Sequence, residues 1–79
     1  SIALAENSED HILEVVAGDR PGLLANIAQI LHAHKINLRS ARINTLGERA
    51  EDIFVVSGSS LKQEKERVAL ETELAKALR

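Results

Sequence analysis

The residues best suited to bind a small molecule lie in one short segment, residues 18–24, which reads GDRPGLL. It joins a predicted strand to a predicted helix through residue types that favour tight turns. The first-turn N–H groups of Gly22, Leu23 and Leu24 have no acceptor within a helix, so a carboxylate fits there. Asp19 could accept hydrogen bonds from an ammonium group. The loop therefore offers partners for both charged ends of a free α-amino acid.

The same residues also have a simpler interpretation. Asp19 could cap the helix, since Asp is common at helix starts, and Gly22 could merely permit close packing. In the binding interpretation, Gly22 instead leaves room for a ligand. The two roles are compatible, and only ligand binding distinguishes them.

Other polar residues do not form a pattern that indicates catalysis or metal binding. The sequence has three histidines, but His32 and His34 are two positions apart on the predicted helix and point away from each other. A surface role is predicted for the histidines, His11 included. The acidic pairs 9–10 and 51–52 are chain neighbours, whose side chains point to opposite faces of a strand. We therefore predict no catalytic residue, metal site or cofactor in this chain.

Composition narrows the class of protein further. The chain has 79 residues, a net charge of -2, no cysteine and Phe54 as its single aromatic residue. It has no basic stripe to follow a phosphate backbone or an anionic membrane, and a single aromatic ring weakens any interpretation that requires nucleic-acid bases to stack on the protein. No apolar run approaches the roughly 18 residues of a membrane span. We expect one cytoplasmic domain without nucleic-acid or membrane partners, and the lack of methionine suggests a fragment of a longer protein.

The first predicted strand covers residues 11–17 and is apolar on both faces. Leu13, Val15 and Ala17 share one face, and Ile12 and Val16 share the other. A strand with two apolar faces is central in its sheet, or something outside this chain covers its second face. Residues 2–5 could form a hairpin with it and occupy the edge.

From Pro21 onward the apolar residues recur every three or four positions, which predicts the first helix. This helix should end near His34 or Lys35. Its expected buried stripe consists of Leu24, Ile27, Ala28 and Leu31.

Two strands are predicted to follow as a hairpin. The apolar residues of the strand over 36–45 change parity at Arg39-Ser40, which predicts a β-bulge that restores one inward face. Residues 46–49 supply the turn, and residues 52–57 supply the next strand.

A second helix should begin near Leu61, because Ser60 and Gln63 match a capping box. Its expected buried residues are Val68, Leu74, Ala75 and Leu78. The order of elements predicts an α+β, ferredoxin-like βαββα(β) fold, with both helices on one face of an antiparallel sheet. Residues 1–10 would form an N-terminal edge strand or linker, and residues 11–79 the domain.

Two surfaces could contact other proteins. The charged residues Glu48, Arg49, Glu51 and Asp52 are interpreted as a solvated turn, although they could bind a neighbouring domain. The second face of the sheet carries Ile12, Val16, Ile53 and Val55, which an isolated monomer would leave exposed to water. Dimerisation, side by side or face to face, is the hypothesis that follows.

The segment Asp19-Arg20-Pro21-Gly22-Leu23-Leu24, followed by Ile27 and Leu31, resembles the D-R-P-G-L-L helix entry of ACT domains. Residues 41–54 are similar to the second, C-terminal ACT repeat of bifunctional uridylyltransferase/uridylyl-removing enzymes. The acidic and basic residues of this stretch favour that family over the ACT domains of biosynthetic dehydrogenases. The family's last strand is absent, and residues 2–5 could replace it.

This resemblance implies a regulatory domain that senses an amino acid, with glutamine expected, in an enzyme that controls the PII signal protein and nitrogen metabolism. The parent would contain a nucleotidyltransferase domain that uses UTP and Mg²⁺ and a metal-dependent phosphohydrolase domain, whose motifs this chain lacks. The expected partners are a neighbouring ACT repeat or a second copy, the catalytic domains and PII. The ligand-binding residues implied by the resemblance are Asp19, Arg20, Pro21, Gly22, Leu23 and Leu24, with Asn37 and Leu38 as contacts across an ACT pair.

Two alternatives to this function remain open. The chain could be a structural docking module without a ligand, or the ACT domain of another enzyme regulated by an amino acid. A ferredoxin-like metallochaperone would need paired cysteines, which the sequence lacks.

Overall fold

Four strands and two helices form a two-layer α+β fold in the computed structural model, which describes residues 1–18 and 21–78. The elements are β1 (Ile2–Asn7), β2 (Asp10–Gly18), α1 (Leu23–Ala33), β3 (Asn37–Leu46), β4 (Arg49–Ser57), a 3₁₀ turn (Ser59–Lys62) and α2 (Glu64–Ala77). The sheet is antiparallel with strand order β1-β2-β4-β3. Both helices pack against the inner face, which confirms the predicted fold class.

The central strands β2 and β4 carry most of the sheet's contribution to the core. Leu13 and Val15 of β2 face inward with Phe54 and Val56 of β4, and all four are buried. Ile12 and Val16 of β2 lie on the outer face and are half-buried. The two predicted faces of β2 and its central place in the sheet are therefore confirmed.

The N-terminal residues form the edge strand predicted for them. β1 pairs antiparallel with β2, with Ile2 opposite Val15 and Leu4 opposite Leu13. Both apolar side chains of β1 pack against the core. The hairpin begins at residue 2, so this part of the chain is integral to the sheet.

Helix α1 begins at Leu23, two residues later than predicted, because Gly22 adopts a left-handed conformation (φ 81°) that a helix cannot include. Its buried row is Leu23, Ile27 and Leu31. The predicted burial of Leu24 and Ala28 is wrong: both are exposed, because the helix turns them toward β3, which covers them only in part. The helix ends at Ala33, as expected, and Lys35 has a φ of 58°.

Strand β3 is the second edge of the sheet and contains the predicted bulge. The register shifts between Leu38 and Ser40, after which Ala41 and Ile43 lie opposite inward-facing residues of β4. All side chains of β3 are nevertheless exposed. A two-residue loop joins β3 to β4, and Gly47 within it has a φ of 65°, as tight hairpin turns require.

The second helix differs most from its sequence pattern. Ser60 does not cap it: the Ser60 hydroxyl donates a hydrogen bond to the carbonyl oxygen of His34 (3.2 Å), and residues 59–62 form a 3₁₀ turn. Helix α2 therefore starts at Glu64. The acidic side chains of its first turn interact favourably with the positive end of the helix dipole.

The buried residues of α2 also differ from those predicted. Leu70 and Leu74 are buried, and Leu78 is half-buried against the core. The predicted burial of Val68 and Ala75 is wrong, because both are exposed. The row of α2 that packs against the core is thus Leu70 and Leu74, next to the buried Leu61 of the 3₁₀ turn.

Candidate functional site

The first amide N–H groups of α1 have no carbonyl acceptor within the helix. The first helical bond described here runs from the Asn26 N–H to the carbonyl oxygen of Gly22 (2.9 Å). The preceding N–H groups of Leu23, Leu24 and Ala25 are those that a helix leaves without an internal acceptor. They lie one residue later than predicted, and Pro21 precedes the helix. The position remains suited to a carboxylate.

Gly22 is required at this position by its backbone conformation. It is the N-cap residue of α1, lies in the left-handed region and cannot supply a side-chain cap. A Cβ atom built on it would meet no atom within 4 Å, so the space above it is open. No described residue fills this space, and a ligand at Gly22 stays a prediction. The predicted site residues Asp19 and Arg20 lie outside the described residues. Capping of the helix by Asp19 therefore stays a prediction.

A cavity of about 260 Å³ lies between the first turn of α1 and the end of the β3–β4 hairpin. Most of its lining is apolar, and we call it the polar cavity because two polar side chains, Thr45 and Asp52, also line it. Its lining residues are Gly22, Leu23, Leu24, Ala25, Ile43, Thr45, Ala50 and Asp52. Three predicted site residues, Gly22, Leu23 and Leu24, are thus brought together on one wall. The hairpin contributes the opposite wall, which sequence analysis did not include in the site.

Asp52 is the functional candidate that sequence analysis missed. Its interpretation as part of a solvated turn is wrong, because the residue is only 1% exposed on the inner face of β4. Its Oδ1 atom has no hydrogen-bond partner among the described residues. The signal was present in the sequence: Asp52 has the same parity along the strand as Phe54 and Val56.

Glu51, the neighbour of Asp52, confirms the prediction that these two carboxylates do not face each other. It is half-buried, and its carboxylate lies 3.5 Å from the Arg49 guanidinium. Arg49 and Glu51 thus form a surface pair, whereas Asp52 points into the core side of the sheet.

An apolar groove of about 250 Å³ continues from the polar cavity along α1 and β3. Its lining residues are Leu24, Ile27, Ala28, Leu31, Leu38, Ala41, Ile43 and Phe54. Leu24 and Ile43 line both spaces, so they separate the polar cavity from the apolar groove. The groove exists because Leu24 and Ala28 face β3 without being covered by it.

The two predicted contacts on β3 lie away from the start of α1 within this chain. Leu38 lines the apolar groove, whereas Asn37 is exposed at the first position of β3 opposite Ser57. Ile43 is six positions further on, roughly 20 Å along an extended strand. Asn37 therefore lies far along β3 from the residue that faces the start of α1, and a contact of Asn37 across a pair of domains stays a prediction.

The histidines occupy three different environments. His32 is exposed, and the Nε2 atom of His34 lies 2.9 Å from Oε2 of Glu73, which links α1 to α2. His11 is buried on the inner face of β2, so its expected surface position is wrong. Among residues 1–18 and 21–78, no group of three or more His, Cys, Asp or Glu side chains could hold a metal ion. No helix in that part of the chain is long and apolar enough to cross a membrane.

The outer face of the sheet carries the four apolar residues predicted for it, Ile12, Val16, Ile53 and Val55. Ile12 lies opposite Val55, and Ile53 and Val16 lie opposite acidic residues of the facing strands. Ile53 is exposed, while the other three are half-buried. Dimerisation through this face stays a prediction.

We expect Gly22→Ala to lower the free energy of unfolding by about 1–2 kcal/mol, because a side chain makes the left-handed conformation unfavourable. Gly18→Ala is the matched control: its added Cβ also meets nothing within 4 Å, but Gly18 has no positive φ. Its expected effect is within about 0.5 kcal/mol. Urea unfolding followed by circular dichroism measures both. Equal effects would contradict a conformational requirement at Gly22.

Comparison with known proteins relates this geometry to one family. The ACT domain model matches residues 11–69. The bifunctional uridylyltransferase/uridylyl-removing enzyme of Chromobacterium violaceum is 56% identical over 79 residues, which cover 100% of this chain and 9% of that enzyme. The enzyme of the same name from Burkholderia orbicola is 51% identical over 73 residues, or 92% of this chain and 8% of that enzyme. The chain thus spans less than a tenth of these curated relatives.

A solved structure has the same fold. The crystal structure of an unknown protein from Galdieria sulphuraria superimposes with a TM-score of 0.75 at 26% sequence identity. The match covers 89% of this chain and 39% of that one.

Proposed function

The chain belongs to the ACT domain family, and on that premise we propose that it is the glutamine-sensing domain of a bifunctional uridylyltransferase/uridylyl-removing enzyme. The match to the family over residues 11–69 and the 56% identity to the Chromobacterium violaceum enzyme support this assignment. The chain itself regulates; UTP- and Mg²⁺-dependent uridylyl transfer and uridylyl removal belong to other domains of the parent. That parent acts on the PII protein in the cytoplasm.

The observation that carries the sensing proposal is the polar cavity at the start of α1. The N–H groups of the first helical turn have no acceptor within the helix and form the positive end of its dipole, where a carboxylate is stabilised. Gly22 adds no side chain there, and no described residue fills the space at its Cβ position. These features match the carboxylate end of an α-amino acid, and the adjoining groove has space for part of its side chain.

Regulation follows if the ligand binds one arrangement of paired ACT domains more tightly than another. Only such a difference in affinity lets a ligand shift a conformational equilibrium. Gly22 and the first turn of α1 share the polar cavity with Ile43 of the exposed edge strand. A ligand held there contacts the edge along which a second domain can pair. By linkage, the state of the catalytic domains then alters the affinity for the ligand.

Backbone amide NMR tests this proposal, with L-glutamine added to the 79-residue chain and to the chain joined to its neighbouring repeat. We expect saturable shifts confined to the first turn of α1 and the β3–β4 hairpin, with L-glutamate as the control that produces none. If neither protein shifts with L-glutamine, glutamine sensing is wrong. A panel of other amino acids then tests the alternative of a different amino-acid-regulated enzyme.

A second candidate function is a docking module that binds no small molecule. The exposed edge strand and the apolar groove favour it, because Leu38, Ile43 and Leu46 are all about half exposed or more. Such a surface can pair with another ACT domain through main-chain hydrogen bonds and apolar contact. This function predicts that joining the neighbouring repeat shifts the β3 amides, while no amino acid shifts any residue.

A further inference from the structure

The side-chain carboxyl group of Asp52 is buried and forms no ion pair with a described residue. The residue is 1% exposed, and Oδ1 has no hydrogen-bond partner among the described residues. A buried carboxylate is normally paired or hydrogen-bonded, because removing it from water without compensation is unfavourable. Oδ1 of Asp52 is therefore a buried acceptor that lacks a donor in the described part of the chain.

The neighbours of Asp52 in the sheet do not provide that donor. Asp52 lies between Val15 on β2 and Ile43 on β3, both with apolar side chains. The ion pairs found within residues 1–18 and 21–78 join Arg39 to Asp10, Arg49 to Glu51 and His34 to Glu73. None of these three involves Asp52.

Asp52 lines the same polar cavity as the first turn of α1. One wall of the cavity therefore offers N–H donors at the positive end of a helix, and another offers a negative acceptor. A ligand that satisfies both walls carries a negative group and a positive group a few ångströms apart. A free α-amino acid has this arrangement. A 2-oxo acid would instead place an uncharged carbonyl oxygen, which donates no hydrogen bond, toward Asp52, and a second carboxylate there would add a repelling negative charge.

We propose that Asp52 accepts the α-ammonium group of the ligand and thereby selects amino acids over acids that lack the amino group. This inference rests on the proposed sensing function and adds to it the residue that recognises the cationic end. The ligand carboxylate binds the N–H groups of Leu23, Leu24 and Ala25. Leu24 and Ile43, which are 44% and 47% exposed, also line the cavity.

The first test compares two ligands on one variant of the 79-residue chain. The ligands are L-glutamine and glutaramate, the same molecule without the amino group. Asp52→Asn should weaken binding of L-glutamine by about 10- to 100-fold, the range expected for a hydrogen bond to a charged group. Its effect on glutaramate should be no more than about 2-fold.

Glu14→Gln is the matched control, because it removes the same charge from the outer face of β2. It should leave both affinities unchanged. Equal weakening of L-glutamine and glutaramate by Asp52→Asn would indicate a purely structural role and would overturn the proposal.

A second measurement uses the unaltered chain and so does not depend on whether the variant folds. The ¹³C resonance of the Asp52 side-chain carboxylate should move on saturation with L-glutamine and stay in place with glutaramate. If L-glutamine shifts the α1 amides while this resonance does not move, the role of Asp52 is wrong and amino-acid sensing stands. If L-glutamine shifts neither, both the sensing function and the inference are wrong.

Discussion

Phe54→Ala is expected to lower the free energy of unfolding by about 3–5 kcal/mol, the cost of removing a buried aromatic side chain and leaving a cavity. Phe54 is 3% exposed and contributes to the core cluster from the centre of the sheet. The whole stability expected for 79 residues is only about 4–12 kcal/mol. The variant should therefore lose about a quarter or more of its stability, and it should be largely unfolded if the total lies at the low end of that range, as measured by urea denaturation.

The matched control for this prediction is Ile53→Ala, one residue earlier on the same strand. Ile53 faces the outer side of the sheet and is exposed. We expect a loss of about 1 kcal/mol or less, because little apolar area is returned to water. Similar losses for both variants would mean that the outer face is covered in the folded state, as dimerisation through that face requires.

Leu70→Ala is expected to destabilise the chain by about 2–5 kcal/mol, because Leu70 is fully buried where α2 packs on the sheet. Val68 occupies the same helix but is exposed, so Val68→Ala should change stability by about 0.5 kcal/mol or less. Ala also favours the helix more than Val does, which offsets part of any loss.

Thermal and urea unfolding by circular dichroism measure the two α2 variants side by side. The sequence pattern alone predicts the opposite order, since it assigned Val68 and not Leu70 to the buried side. A larger loss for Val68→Ala than for Leu70→Ala would show that α2 packs in the register that the sequence pattern indicates.

Much of the fold was predictable because its signals are local. The alternation of apolar residues placed the two faces of β2, and the parity change at Arg39-Ser40 located the bulge of β3. The helices were harder to place. Gly22 delays the start of α1, and the Ser60 hydroxyl bonds to the end of α1 instead of capping α2. Several rows of helix positions carried apolar residues, and only packing selects among them.

The candidate site was predictable on one side only. The turn residues around Gly22 and the unpaired N–H groups of a helix start can be inferred from sequence, because both are properties of a short segment. The opposite wall, with Thr45 and Asp52, comes from a hairpin more than 20 residues later in the chain. A charged hairpin end is usually solvated, so the charged residues around Asp52 predicted an exposed position for it.

The sequence by itself determined the order of elements, the apolar faces of the strands and the turn that begins α1. Each of these depends on backbone preferences and on periodicity over a few residues. The parity of β4 also places Asp52 on the inner face, but the tertiary structure alone decided that Asp52 is covered there, that Leu70 is in the core, and that Leu24 and Ile43 border an open groove. These outcomes depend on where the helices lie across the sheet, which is set by close packing of side chains that are distant in sequence.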